Sequence, residues 1–106
     1  MKQKSFSQKV VQLALQIPPS RVTTYGVLAQ AAGGHPMMSR MITKILSKSP
    51  DIDKIPFHRI VYADGRVWLT PEIEISRRRL YKKEGIRLNS KNRLIDFDKL
   101  VYTFNL

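Results

Sequence analysis

Apolar positions recur at helical spacing near the start of the chain: Phe6, Val10, Leu13, Ala14 and Ile17 stand at i, i+4, i+7, i+8 and i+11. Pro18-Pro19 stops that predicted helix, because proline has no amide proton and constrains the residue before it. Arg21 to Thr24 reads as a short extended piece, with Thr23 or Thr24 placed to cap a helix through Val27-Leu28-Ala29-Gln30-Ala31-Ala32. Gly33-Gly34 ends it, and Pro36 suits the first turn of the next, where a missing donor costs nothing. In that next helix Met38, Met41, Ile42, Ile45 and Leu46 predict a buried stripe, and Arg40, Thr43, Lys44 and Ser47 an outward polar one. Two short helices across a glycine turn, the second with a basic outer face, have the form of a helix-turn-helix. Taken alone, the pattern favours an ordinary amphipathic helix with a solvated face.

Pro50 breaks the third helix, and Asp51-Ile52-Asp53-Lys54 leads as a loop into Ile55-Pro56-Phe57-His58-Arg59. Ile60-Val61-Tyr62 and Val67-Trp68-Leu69 flank Ala63-Asp64-Gly65-Arg66, and Asp-Gly between β-branched and aromatic runs predicts a hairpin. A last helix is expected from Glu72 to Lys83, acids early and bases late, with Gly85 as its left-handed terminator. Beyond Asn89, the apolar residues Leu94, Ile95, Phe97, Leu100, Val101 and Phe104 suggest one or two strands or a packed tail. Helices, one hairpin and a helix-turn-helix make an α+β fold of winged-helix type.

Length and composition narrow the class. The 106 residues predict one domain spanning 1–106, and a hydrophobic fraction of 42% suffices for a single core. No run of 18 apolar residues occurs, and the polar start Met1-Lys2-Gln3-Lys4-Ser5 lacks the apolar stretch of a signal peptide, so an intracellular, cytoplasmic monomer is expected. There is no cysteine, which excludes disulfides and thiolate zinc sites; with only two histidines and no clustered carboxylates, neither a metal nor another cofactor is expected. His35 reads as a loop residue. Nineteen Lys and Arg against eight Asp and Glu give a formal charge of +11, the electrostatic signature of a nucleic-acid binder, since each phosphate neutralised releases condensed counterions.

The segment Ile55-Pro56-Phe57-His58-Arg59-Ile60 resembles the active-site signature of the O6-alkylguanine-DNA alkyltransferases, in which Pro-Cys-His-Arg carries the thiolate that accepts an alkyl group from damaged guanine. Here Phe57 stands in place of that cysteine, and a phenyl ring has no lone pair with which to attack. The pattern is that of the alkyltransferase-like, non-catalytic branch, whose usual replacement is tryptophan. Arg21-Val22-Thr23-Thr24-Tyr25-Gly26, Arg40 and Lys83-Glu84-Gly85 match further family segments in order, so the similarity covers about nine tenths of the chain.

The resemblance implies a winged helix-turn-helix of the alkyltransferase C-terminal type that binds double-stranded DNA containing O6-alkylguanine through the minor groove and flips the lesion out. On that reading Thr24, Tyr25, Arg40, Thr43, Lys44 and Ser47 contact DNA. Tyr25 rotates the 3′ phosphate, and Arg40 fills the vacated space. Tyr25, Pro56, Phe57, Val67 and Trp68 form the lesion pocket. Phe57 reads either as the base's stacking platform or as a filler of the space left by the thiol. His58 and Glu84 match the pair that prepares the thiol through a water in catalytic members; without a thiol they are vestigial, and a buried His58–Glu84 hydrogen bond is expected on structural grounds. The implied function is a damage sensor without enzymatic activity that blocks alkyltransferases and marks the lesion for repair, with nucleotide excision repair proteins as downstream partners.

Two departures from the family pattern are Thr43 and Lys44, where catalytic members carry paired small residues, and Ser49-Pro50 in place of Asn-Pro. The former leaves open a winged-helix transcription factor reading undamaged DNA through the major groove. An enzyme acting by another route finds no nucleophile, since no motif sets a histidine beside Ser39, Ser47 or Ser49.

Overall fold

The computed structural model describes residues 5–104; the polar start Met1 to Lys4 lies outside them. The first helix, α1 (Phe6–Ala14), begins where Ser5 accepts from the Gln8 amide at 3.2 Å and Gln8 Oε1 accepts from the Ser5 amide at 2.9 Å, a reciprocal cap that satisfies two end donors. It buries Val10, Leu13 and Ala14; Ile17, past the helix end, stays buried ahead of the proline pair. Thr24 caps α2 (Tyr25–Ala31) by accepting from the Val27 amide at 3.1 Å. Between Gly33 and the next helix, the expected continuous helix from Pro36 is instead a tight 3-10 turn, Pro36–Met38, with α3 (Ser39–Ser47) following. The Met38 amide donates to the His35 carbonyl at 2.8 Å, the i+3 bond that closes this turn, and His35 Nδ1 caps it by accepting from the Met37 amide at 3.1 Å.

Helices α1, α2 and α3 pack around one core that includes Leu28, Ala29, Ile42, Leu46, Ile55 and Ile60. Burying a side chain the size of Ile42 or Leu46 fully contributes about 1.5–3 kcal/mol, so these two hold α3 in place. The predicted stripe is narrower than expected: Met38 and Ile45 are half-buried and Met41 is exposed.

A second core forms from Val22, Val61, Val67, Tyr81, Ile86 and Leu94. It is built on a two-residue parallel pair, β1 (Thr23–Thr24) beside β2 (Ile60–Val61), with Thr23 opposite Ile60 and Thr24 opposite Val61. The turn after β2 closes as expected, with the Gly65 amide donating to Tyr62 at 2.9 Å and the Tyr62 amide to Arg66 at 2.9 Å. The expected second hairpin strand does not form. Asp64 Oδ1 takes the Arg66 amide at 3.0 Å, and the Val67 amide goes to Asn92 at 3.0 Å, so residues 66–67 pair with the later segment instead of with β2.

The last long helix is α4 (Glu74–Lys83), two residues shorter at its start than expected because Thr70 takes the Ile73 and Glu74 amides in a preceding turn. It ends in paired bonds, Ile86 amide to Tyr81 and Gly85 amide to Lys82, at 2.9 and 3.2 Å, with Gly85 at φ +73°. The tail contributes a short helix, α5 (Phe97–Leu100), and a parallel bridge between Val22 and Val101. The whole is an α+β, winged-helix-like arrangement.

Gly85 and Gly65 differ in a way that can be measured. Both have positive φ, but a Cβ on Gly85 meets nothing within 4 Å, whereas on Gly65 (φ +86°) it meets the Phe97 ring at 3.3 Å. Gly85→Ala is expected to lower stability by about 1–2 kcal/mol, the conformational cost alone. Gly65→Ala is expected to cost more, because Phe97 must also shift. Urea unfolding checks the order, and a smaller loss for Gly65→Ala contradicts it.

Candidate nucleic-acid interface

Glu84, at the C-cap of α4, lies with its side chain 7% exposed and collects donors from two distant segments. His58 Nε2 stands 2.5 Å from its Oε2, Arg59 donates from Nε at 3.0 Å and from its terminal nitrogen at 2.9 Å, and the Ser20 amide donates at 2.8 Å. Ser20 Oγ also donates to the Glu84 carbonyl at 2.7 Å, and the other Arg59 nitrogen to the Ile17 carbonyl at 2.9 Å. The turn after α1, the 3-10 turn Phe57–Arg59 and the end of α4 are thus tied at one carboxylate. Burial alone pushes the Glu84 carboxyl up, but the bonds from Arg59, Ser20 and His58 outweigh it and bring it down to about 2. Burial lowers His58 below the usual imidazole value despite its carboxylate partner. Its ring meets Tyr81 edge-on at 5.9 Å. Ser20, at φ +70°, was not legible as part of this site, because its partner is 64 residues away.

Phe57 is held by that turn, half-buried against the first core. Pro56 beside it is buried. Tyr25, at the start of α2, is also half-buried; burial raises its phenol pKa, and a hydrogen bond with Thr43 opposes the rise. Its ring tilts at 49° to Tyr62 with centroids 5.6 Å apart, and Arg66 lies 5.1 Å over Tyr62. Trp68 is exposed, with the Arg77 guanidinium 5.3 Å over its ring and donating to its carbonyl at 2.8 Å. Arg77 is also close enough to Tyr25 and His58 to act on their charge. Tyr62 and Arg77 were absent from the expected site; only the turn at 62–66 and the path of α4 bring them in.

Two expected site residues are accounted for by the fold. Val67 is 7% exposed and packs in the second core, because alternation along the extended chain sends it inward and Trp68 outward. Thr24 is 8% exposed, with its hydroxyl occupied by the Val27 amide. On α3, a turn of about 100° per residue splits the polar stripe. Thr43 and Lys44 stand about 100° apart with Arg40 and Ser47 between them: Thr43 meets Tyr25, whereas Lys44 lines an open groove of about 820 Å³ between α1 and α3 with Val11, Leu15, Met41 and Ile45. None of Tyr25, Tyr62 and Trp68 lines that groove.

Residues 5–86 match the family model of the 6-O-methylguanine DNA methyltransferase DNA-binding domain. A protein of Escherichia coli strain K12 named DNA base-flipping protein is 34% identical over 94 residues, covering 88% of this chain and 71% of that protein. One of the same name from Vibrio parahaemolyticus is 31% identical over 74 residues, 70% of this chain and 73% of that one. Among solved structures, S. pombe Atl1 in complex with damaged DNA containing O6-carboxymethylguanine aligns with a TM-score of 0.73 over 97% of this chain and 99% of that one, at 20% identity, a likeness of fold.

The clamp makes stability depend on acid. Glu84 has a folded pKa below its unfolded one, so its contribution is complete above about 4.5 and is lost as pH falls toward about 2. His58 acts in the same direction: its folded pKa is also depressed, so the unfolded chain takes that proton first as pH drops below about 6.5. Unfolding free energy is therefore expected to fall steadily from neutral pH into acid. Glu84→Gln should flatten the dependence below about pH 4.5, leaving the contribution of the exposed Asp64 and Glu72 carboxyls, which are also held below their usual range. At neutral pH it should cost on the order of 3–5 kcal/mol, by leaving Arg59 without its counter-charge. Denaturant titrations over that range check it, and an unchanged acid profile in the variant contradicts it.

Proposed function

Because the chain belongs to the family of 6-O-methylguanine DNA methyltransferase DNA-binding domains, as an alkyltransferase-like member, we propose that it is a non-enzymatic sensor of O6-alkylguanine in duplex DNA. The observation that carries the reading is Phe57. It occupies the position of the family's attacking cysteine, in a turn that His58 and Arg59 still fasten to Glu84. The clamp serves the fold as well, but it also keeps position 57 where the family presents its cysteine to the lesion. The relatives named DNA base-flipping protein, and the Atl1 fold seen with damaged DNA, support recognition by base flipping.

In this proposal the whole chain acts as one DNA-binding domain, with α3 in the minor groove. Extrusion of a nucleotide costs a few kcal/mol. One base stacked on an aromatic wall returns about 1–3 kcal/mol. Stacking on Phe57, Tyr25 or Trp68 is therefore of the right size but insufficient alone, and Arg40 must contribute by entering the vacated stack. Its planar fork stacks and donates in one plane, as a lysine does not. Tyr25, braced by Thr43, crowds the phosphate that rotates. The alkyl group stays on the base, so the bound protein blocks alkyltransferases and marks the site for another pathway, nucleotide excision repair.

With no nucleophile at position 57, incubation with O6-methylguanine DNA should leave the protein's intact mass unchanged and the DNA unrepaired. A single methyl adduct on the protein contradicts the proposal.

Arg40→Ala should reduce lesion discrimination and leave a fluorescent base analogue at the lesion dim at saturating protein, where wild type brightens it. Equal brightening by the variant would assign Arg40 to phosphate contact, with another side chain opening the helix.

A further inference from the structure

The chain's positive charge is not concentrated on α3. Arg40, Lys44 and Lys48 lie on that helix and its cap, whereas residues 74–93 carry eight cations against two acids, Glu74 and Glu84. Within that segment Arg77 lies over Trp68, Arg78 bonds Glu74 and Asn92, and Arg93 reaches Asp64. Arg79, Lys82, Lys83 and Arg87 form no ion pair among the described residues.

The arrangement costs the helix stability, because Arg78 with Lys82 and Arg79 with Lys83 are like-charged pairs at i, i+4. Lys82 and Lys83 offset the negative end of the α4 dipole and Arg78 pairs with Glu74 one turn before it, but Arg79 and Arg87 are outside both explanations. A second observation singles out the place. Arg78, Lys82 and Arg87 stand around a recess of about 250 Å³, with Tyr81, Gly85, Ile86 and Leu88 as its remaining walls. Gly85 leaves it open, since no atom lies within 4 Å of where a Cβ would sit. The helix-end carbonyls of Tyr81 and Lys82, which would repel an anion, already accept from Ile86 and Gly85.

We propose that this recess holds the phosphate backbone of a second stretch of DNA, distinct from the one engaged by α3. The Arg87 guanidinium and the Lys82 ammonium, neither in an ion pair among the described residues, stand around one hollow and suit a phosphodiester, with Arg78, held by Glu74 and Asn92, at its edge. The recess faces away from the first site: Arg78 and Lys82 lie about 100–140° around α4 from Arg77, the residue turned toward Trp68 and Tyr25. The two surfaces also rest on different cores, α3 on the first and α4 on the second. The protein would thereby hold a damaged site and a neighbouring or looped segment together.

The test uses two undamaged duplexes carrying donor and acceptor dyes, so it stands apart from lesion preference. Wild type at low salt should bring the dyes together, and the double variant Lys82→Gln/Arg87→Gln should reduce that signal about tenfold while lowering its salt slope by about two. Affinity for a single O6-methylguanine duplex should change less than about twofold in the same variant, whose circular dichroism should match wild type. No bridging by wild type, or equal bridging by the variant, overturns the inference. So does a parallel loss of single-duplex affinity, which would make the recess part of the first interface. Loss of polyglutamate binding with bridging intact would assign the recess to an acidic protein and overturn it as well.

Discussion

A carboxylate removed from water must be matched by donors, and the candidate site is arranged around one such carboxylate, that of Glu84. Its partners come from residues 20, 58 and 59, so three segments that are distant in sequence can meet only in one register. Buried charge pairs add little net stability compared with apolar packing, but losing one partner is expensive. The clamp therefore acts mainly as a device of position. It sets the turn Phe57–Arg59 against the end of α4 and so fixes where Phe57 stands, while the β1–β2 pair sets the start of α2, with Tyr25, beside the same segment. The two cores on either side supply the bulk of the burial, and the carboxylate supplies the alignment between the turn and α4.

This division explains how the site can keep its shape without a reaction. In a thiol enzyme, a histidine bonded to a carboxylate would activate the nucleophile. Here burial keeps the imidazole toward its neutral form, and Phe57, the residue before it in the turn, has no proton to give. What persists is the fastened turn, a Tyr25–Tyr62 ring pair with Arg66 over Tyr62, and an exposed Trp68 under Arg77. Flat, electron-rich surfaces next to guanidinium groups suit an unstacked purine, which is why the proposed function places recognition there.

The parts legible in the sequence were those set by local chemistry. The buried face of α1, the cap at Thr24, the glycine stop after α2 and the left-handed Gly85 each depend on neighbours within a few residues and appear where expected, whereas α1 and α3 end at Ala14 and Ser47, three residues or more ahead of their prolines. Long-range competition decided the rest. The hairpin after β2 was lost because the side chain of Asp64 took the amide of Arg66 and Asn92 took that of Val67. β1 found its partner 37 residues on, in parallel, which no local pattern announces. The polar stripe of α3 faces outward as its spacing predicts, but only the packing of α1 separates Lys44, on a groove, from Thr43 beside Tyr25. Ser20, Tyr62 and Arg77 reached the site through the fold alone.

The central claim is that this geometry prefers a damaged base. It is tested most directly by equilibrium binding to two duplexes identical except for guanine or O6-methylguanine at one position, at one salt concentration. A stacking difference of about 1–3 kcal/mol predicts tighter binding to the alkylated duplex by roughly 5- to 150-fold. Equal affinities would contradict the account and leave a winged-helix protein that binds DNA irrespective of damage.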